Sequence, residues 1–178
     1  MKVLFLDHYG VLCLSKNPVT RTEFSMPTSD EFADTGITFF SDFDPDAVAV
    51  LNDIIQQTGV EIVISSDWKR ETTLSGMCEF YHKQGIEKMP LAYTAWLPGA
   101  ATYHEQRAGE ITTWLDQHPE TTHWAAVDDL YMGTWLTNFA WAKRVDQGIK
   151  DLVVQKQILE LITIQDLDTN KMVNILER

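Results

Sequence analysis

The chain has 178 residues, with 14 Lys plus Arg against 26 Asp plus Glu, a formal net charge of −12, and 44% hydrophobic residues. That is a globular mixture, long enough to bury a core. The acidic balance excludes a broad electrostatic grip on nucleic acid and docking on anionic membrane, because no basic excess exists to neutralise phosphates. It leaves room for a small basic pocket.

In chain order, Val3 to Leu6 is a short continuous apolar run, as expected of a strand buried on both faces. It meets Asp7 too soon for a signal peptide. Ser15 to Phe43 is polar, holds Pro18, Pro27 and Gly36, and shows no sustained period, so it reads as a long loop or small insert. Asp44-Pro45-Asp46 opens a helix in the manner of an acidic N-terminus with proline in the first turn. Val48, Leu51, Ile54 and Ile55 form its apolar stripe, and Gly59 ends it. Glu61 to Ile64 is a second strand, stopped at Ser65-Ser66. A helix is predicted from about Glu71 to Gln84, a short strand over 91–95, and another helix from His104 to His118 with Ile111, Trp114 and Leu115 inward. Trp124 to Val127 is a third strand, ending at Asp128-Asp129. Leu152, Val153, Ile158, Leu159 and Ile162 follow a helical period, and Met172, Val173, Ile175 and Leu176 suggest a final short helix.

No apolar run approaches the ~18 residues of a membrane span. Cys13 and Cys78 form neither a CxxC pair nor a Cys/His cluster, so free thiols in a reducing cytoplasm are expected rather than a disulfide or zinc site. Exposed apolar positions near the end (Ile164, Leu167, Met172, Ile175) suit packing on a partner, and oligomeric state stays open.

Strands alternating with helices imply a parallel sheet with helices on both faces, an α/β three-layer sandwich. Sites in such sheets lie beyond the carboxyl ends of the strands. That rule selects Asp7 to Tyr9, Ser65-Ser66 and Asp128-Asp129.

The first of these, Asp7-His8-Tyr9-Gly10-Val11-Leu12 after a buried strand, resembles motif I of the haloacid dehalogenase-like (HAD) superfamily. Ile62-Val63-Ile64-Ser65 resembles its motif II, and Trp124 to Asp129 resembles the paired-acid form of motif IV. Arg107 to Leu115 sits where motif III supplies a cation. The chain is closer still to small phage and bacterial HAD-like domains, including those of nucleic-acid repair proteins, through Leu51 to Ile55, Thr58-Gly59, Ile62 to Lys69 and Arg107 to Leu115. The likeness covers roughly residues 1–150. It implies a single HAD-like Rossmannoid domain over 1–178, with a small cap over the site at about 15–43.

The resemblance also implies chemistry. Asp7 would be the nucleophile of a phosphatase that passes through an aspartyl-phosphate. Mg²⁺ would be held by Asp7, Asp128, Asp129 and the backbone carbonyl of Tyr9. Ser65, or Ser66 if the register slips, would hydrogen-bond a phosphoryl oxygen. Arg107 would offset charge on nucleophile and phosphoryl group. Lys69, Arg70 and Gly10 are candidates for substrate binding. The expected substrate is a small phosphorylated molecule, a nucleotide or a nucleic-acid end.

Motif I departs at Tyr9, where phosphatases carry a second aspartate that protonates the leaving group. A phenol ionises near pH ~10 and is a poor proton shuttle at neutrality. The 2-haloacid dehalogenases read DxYGTL there and use no metal, so Tyr9 points to them while Asp128-Asp129 points to a metal. A metal-free hydrolase and a weakened scaffold used for binding are the alternatives. Elsewhere, strand alternation turns His8 away from Asp7 toward a structural role. Trp114 and Trp124 suit the core. Trp68 and Trp96 fall in loops near the site, where an aromatic suits stacking on a base. His104, His118 and His123 show no metal spacing and read as surface residues.

Overall fold

The structure, a computed structural model, describes residues 1–14, 21–25 and 37–173. Its elements in chain order are β1 (Lys2–Leu6), β2 (Arg21–Ser25), β3 (Ile37–Ser41), α1 (Pro45–Thr58), β4 (Glu61–Ile64), α2 (Leu74–Lys83), β5 (Ala92–Tyr93), α3 (Tyr103–Gln117), β6 (His123–Asp128), β7 (Phe139–Trp141) and α4 (Leu152–Val173). A run without polar side chains is stable in a sheet only where both faces are covered. β1 is accordingly the middle strand of a five-stranded sheet, ordered β5-β4-β1-β6-β7. Each adjacent pair is parallel.

The side chains of β1 alternate between two cores. Leu4 and Leu6 face one side with Ile62, Ile64, Ala125 and Val127, covered by α1, α2 and α4. Val3 and Phe5 face the other with Val63 and Ala126, covered by Ala108, Ile111 and Trp114 of α3 and by Met132 and Leu136. The connectivity explains the split. The chain steps outward from β1 to β4 to β5, then returns across β1 to β6. Crossovers share one hand, so reversing direction puts the connecting helix on the opposite face. β1 is therefore the topological switch point, where sites of open α/β sheets lie.

Local chemistry sets the helix ends. Asp44 caps α1 by accepting from the N–H groups of Asp46 and Ala47, with Pro45 in the first turn. Gly59 closes it in the left-handed conformation, φ 69°. α2 begins three residues later than predicted, capped by the Thr73 hydroxyl, because a 3₁₀ turn over Asp67–Arg70 takes the residues before it. Leu152–Val173 is one continuous helix of 22 residues that takes in Met172 and Val173, since neither Gly nor Pro interrupts it, while Ile175 and Leu176 of the expected final helix lie outside the described residues. Its buried stripe is Val154, Ile158 and Ile162, while Leu152 and Val153 are exposed. Ile164, Leu167, Met172 and Ile175, expected to meet a partner, lie outside the residues whose side chains are described.

Two strands are absent from the sequence reading of the insert. β2 and β3 pair antiparallel, Arg21 opposite Ser41 and Ser25 opposite Ile37. Residues 15–20 and 26–36 of the expected cap lie outside the described residues. The insert rejoins the core at Phe40, whose ring stacks on Trp68 with centroids 4.4 Å apart. β7 was also unforeseen, as three residues are too few to show a period. Both cysteines are free. Among the described residues, no helix is long and apolar enough to cross a membrane.

Candidate active site

Asp7 follows β1, and Asp128 ends β6, the neighbouring parallel strand. Parallel register holds these strand ends side by side, and the Asp7 N–H donates to the Val127 carbonyl at 3.1 Å. Arg107, in the second turn of α3, reaches over both acids. Its Nη1 lies 3.2 Å from Asp7 Oδ1 and 3.0 Å from Asp128 Oδ2, and it also donates to the Ser65 carbonyl. Its Nη2 lies 3.3 Å from Asp67, an exposed acid that the sequence reading passed over. Asp7, Asp128 and Arg107 are all buried. Arg107, the residue expected to supply the motif III cation, is thus ion-paired with both acids.

Asp129 completes the acidic group. Gly10 makes room for it: a Cβ at Gly10, already at φ +69°, would lie 2.7 Å from Asp129 Cβ. The Gly10 N–H is taken by the Cys13 carbonyl at 3.0 Å. What the structure shows of Gly10 is the room that its missing side chain leaves for Asp129.

One carboxylate oxygen from each of Asp7, Asp128 and Asp129 lies within 4.8 Å of the others. Burial pushes the Asp7 carboxyl up to about 6, against the pull of the Arg107 guanidinium. Burial and then the neighbouring Asp7 hold Asp128 well above the usual carboxylate range. Asp129 is raised too, chiefly by burial. Arg107 is held above its ordinary value: burial opposes its charge, but Asp128, Asp7 and Asp67 outweigh that. Arg107 pairs with Asp7 and Asp128, and Asp129 adds a third carboxyl, so acidic groups outnumber the one buried guanidinium. An oxygen-only donor set with unbalanced negative charge fits a hard divalent cation.

The hydroxyls of Ser65 and Ser66 are both buried, and neither makes a hydrogen bond of ordinary geometry. Ser66 lies close enough to Asp7 to favour its charged form. A buried hydroxyl without a partner at Ser65, and a second at Ser66 facing Asp7, suit an arriving oxyanion at this strand end. Tyr9 is 52% exposed and leans edge-on against Trp68, centroids 5.3 Å apart. Among the described residues it makes no hydrogen bond to the three acids.

Lys69 departs from expectation. Its ammonium is buried and bonded to Glu110, Thr94 Oγ1 and the Ala95 carbonyl. It is spent on the protein and does not reach out to substrate. Glu110 was overlooked, although it lies three residues after Arg107 on the same face of α3, within an otherwise apolar buried stripe. Arg70, at the end of the same turn, remains exposed, with its guanidinium 4.3 Å from the centroid of Trp96.

The other side of the strand end is dry. His8 is fully buried, with Nε2 2.8 Å from the Tyr81 hydroxyl, in the structural role expected. Burial pulls its pKa down to about 3, with Arg107 adding to the effect. Trp68 closes this pocket. It is 4% exposed and contacts His8, Phe40, Phe43 and Phe80, so it offers no face to a base. His123 is buried at the start of β6, not on the surface.

No match is found among curated proteins, and none among solved structures. The family described as the HAD domain in Swiss Army Knife RNA repair proteins matches residues 3–155. That span holds β1 from Val3 onward, strands β2 to β7, helices α1 to α3 and all the site residues above. With the five-stranded parallel sheet and its acids at the central strand ends, the chain belongs to this family of HAD domains.

Proposed function

We propose that the protein is a Mg²⁺-dependent phosphomonoesterase that acts through an aspartyl-phosphate on Asp7, with a nucleotide or a nucleic-acid end as substrate. HAD domains are in general hydrolases and most often phosphatases. The observation that carries the reading is the buried Asp7 carboxylate held by Arg107, with Asp128 and Asp129 converging on it. Asp7, Asp128 and Asp129, with the Tyr9 backbone carbonyl, would hold Mg²⁺, which supplies charge compensation between nucleophile and phosphate.

The protein's own groups account for the rest. With its pKa near 6, Asp7 is largely ionised at neutral pH and able to attack. Its carboxylate oxygen bonds to phosphorus as the bond from phosphorus to the leaving oxygen breaks. The Ser65 and Ser66 hydroxyls donate to phosphoryl oxygens, and Arg107 offsets the charge that builds there. The departing oxygen takes a proton from solvent or the Tyr9 phenol. Water then attacks phosphorus, phosphate leaves, and the Asp7 carboxylate is restored.

Tyr9 stands where an acid would speed both proton transfers, so turnover should be low. Restoring the acid with Tyr9→Asp should raise it by about 10²–10⁴-fold, the ordinary worth of general acid–base help. The test is phosphate release from nucleotides and phosphorylated oligonucleotides with Mg²⁺. Release that stops with a chelator or with Asp7→Asn supports the reading. No release from the native chain or from Tyr9→Asp overturns it. Tyr9 also favours two other readings, a scaffold that binds without turnover and a metal-free attack on carbon. The second would use Asp7 as nucleophile but leaves Asp128 and Asp129 without a metal to hold, and chloride release from 2-haloacids in chelator would reveal it.

A further inference from the structure

We propose that Arg70 and Trp96 form a stacking platform for the base of the nucleotide whose phosphate lies at Asp7, a proposal that rests on the phosphomonoesterase reading. Trp96 lies in the loop after β5 and is 36% exposed. An indole left partly in water loses the benefit of burial, so its position needs a cause.

The cause is visible on both sides of it. The buried Lys69 ammonium donates to Thr94 Oγ1 at 2.9 Å and to the Ala95 carbonyl at 3.2 Å. Its partner Glu110 accepts from the Leu97 N–H at 3.1 Å. Trp96 is thus flanked by two residues whose backbones are tied to one buried ion pair. Such pairs add little net stability over apolar packing, but they define position. Here the position defined is that of the indole, with the Arg70 guanidinium 4.3 Å from its ring centroid and Lys69 Nζ at 6.0 Å.

The same framework reaches the nucleophile. The Asp67–Arg70 turn is tied at its start to Arg107 through Asp67, and Arg107 holds Asp7. At its end it carries Arg70. Four residues of 3₁₀ helix rise roughly 6 Å, so the backbone that carries Arg70 begins one short turn from the residue that pairs with Arg107. A planar guanidinium and an indole both stack on bases, which offer a flat π-face that a sugar or alkyl group lacks.

The experiment is calorimetric titration of Asp7→Asn protein with Mg²⁺, using adenosine 5′-monophosphate, ribose 5-phosphate and 5′-phosphorylated tetra-adenylate. The adenine nucleotide should bind about ten- to a hundredfold tighter than ribose 5-phosphate. Trp96→Ala should bring that ratio close to one, and Trp96→Phe should keep most of it. Glu110→Gln should lower it in part, a change of specificity that a merely structural role would not produce. The tetranucleotide binding tighter than the mononucleotide supports the platform with a nucleic-acid end as its source, and equal binding supports it with a free nucleotide. Equal affinity for the mononucleotide and ribose 5-phosphate, or a ratio that survives Trp96→Ala, overturns the platform. If neither binds while the native chain releases phosphate from both with the same KM, the platform falls and the phosphatase reading stands. If neither binds and nothing is released, both fall.

Discussion

Asp7 and His8 are consecutive, yet strand alternation sends them into opposite environments at the end of β1. Asp7 enters a charged pocket with Arg107, Asp128 and Asp129. His8 enters a dry aromatic pocket of Tyr81, Phe43 and Trp68. Both groups are buried, and burial disfavours the charged form of each. It moves their pKa values in opposite directions, Asp7 up to about 6 and His8 down to about 3. The lesson is that burial alone does not make a site. His8 has a neutral partner that suits its neutral form, whereas Asp7 stands among charges that leave it poised to ionise.

The largest effect should come from removing the charged side's nucleophile. Asp7→Asn is expected to lower phosphate release by at least about 10⁴-fold, since the covalent route is lost. His8→Gln, one residue on, should spare much of the rate, and an equal loss in both would break the contrast.

Arg107 is next. Arg107→Met leaves Asp7 and Asp128 buried without their guanidinium, which should cost about 3–5 kcal/mol in urea unfolding and about 10²–10³-fold in turnover. Mg²⁺ should recover part of that stability, because it replaces the missing positive charge.

Metal alone should separate the pockets. At a concentration of a hundred times its dissociation constant, Mg²⁺ should stabilise the native chain by about 2.7 kcal/mol. Asp129→Asn should shrink the shift, and Tyr81→Phe should not. Unfolding that ignores Mg²⁺ would count against a metal role for the three acids.

The smallest effects belong to the aromatic side. Tyr81→Phe removes the partner of a buried imidazole and should cost about 1–3 kcal/mol. The pH dependence carries the sign of each pocket. Between about 3 and 6.5 the unfolded chain binds the His8 proton more readily than the folded one, so stability is lost as pH falls through that window. Asp7 does the reverse without metal: the folded chain holds its proton longer, so stability is lost as pH rises from about 4 to about 6. Urea midpoints in chelator should therefore lose their fall toward acid in His8→Gln, and show that fall more steeply in Asp7→Asn.

Much of this architecture was legible beforehand because strand ends are marked in the chain itself. Each central strand is a short apolar run stopped by acids or serines, and parallel order brings those stops to one edge. Arg107 stands at the place in the motif order where a cation is expected, but its pairing with Asp7 and Asp128 is visible only in the structure. Lys69 was misread because nothing local says that Glu110, 41 residues away, will meet it. Trp68 was misread as a loop residue, since its partners Phe40, Phe43 and Phe80 come from three separate segments. The β2–β3 pair was missed because residues flanking a long connection share no period with each other.

The sequence by itself determined which groups stand at the ends of β1, β4 and β6, because hydrophobic patterning and chain order suffice to align parallel strands. Only the tertiary structure decided how those groups and their neighbours are used. Arg107 is shared among acids, Lys69 is captured by Glu110, Trp68 is enclosed, and Trp96 is held out beside Arg70. The physical reason is that charge pairing and aromatic packing act through space, between residues with no fixed separation along the chain.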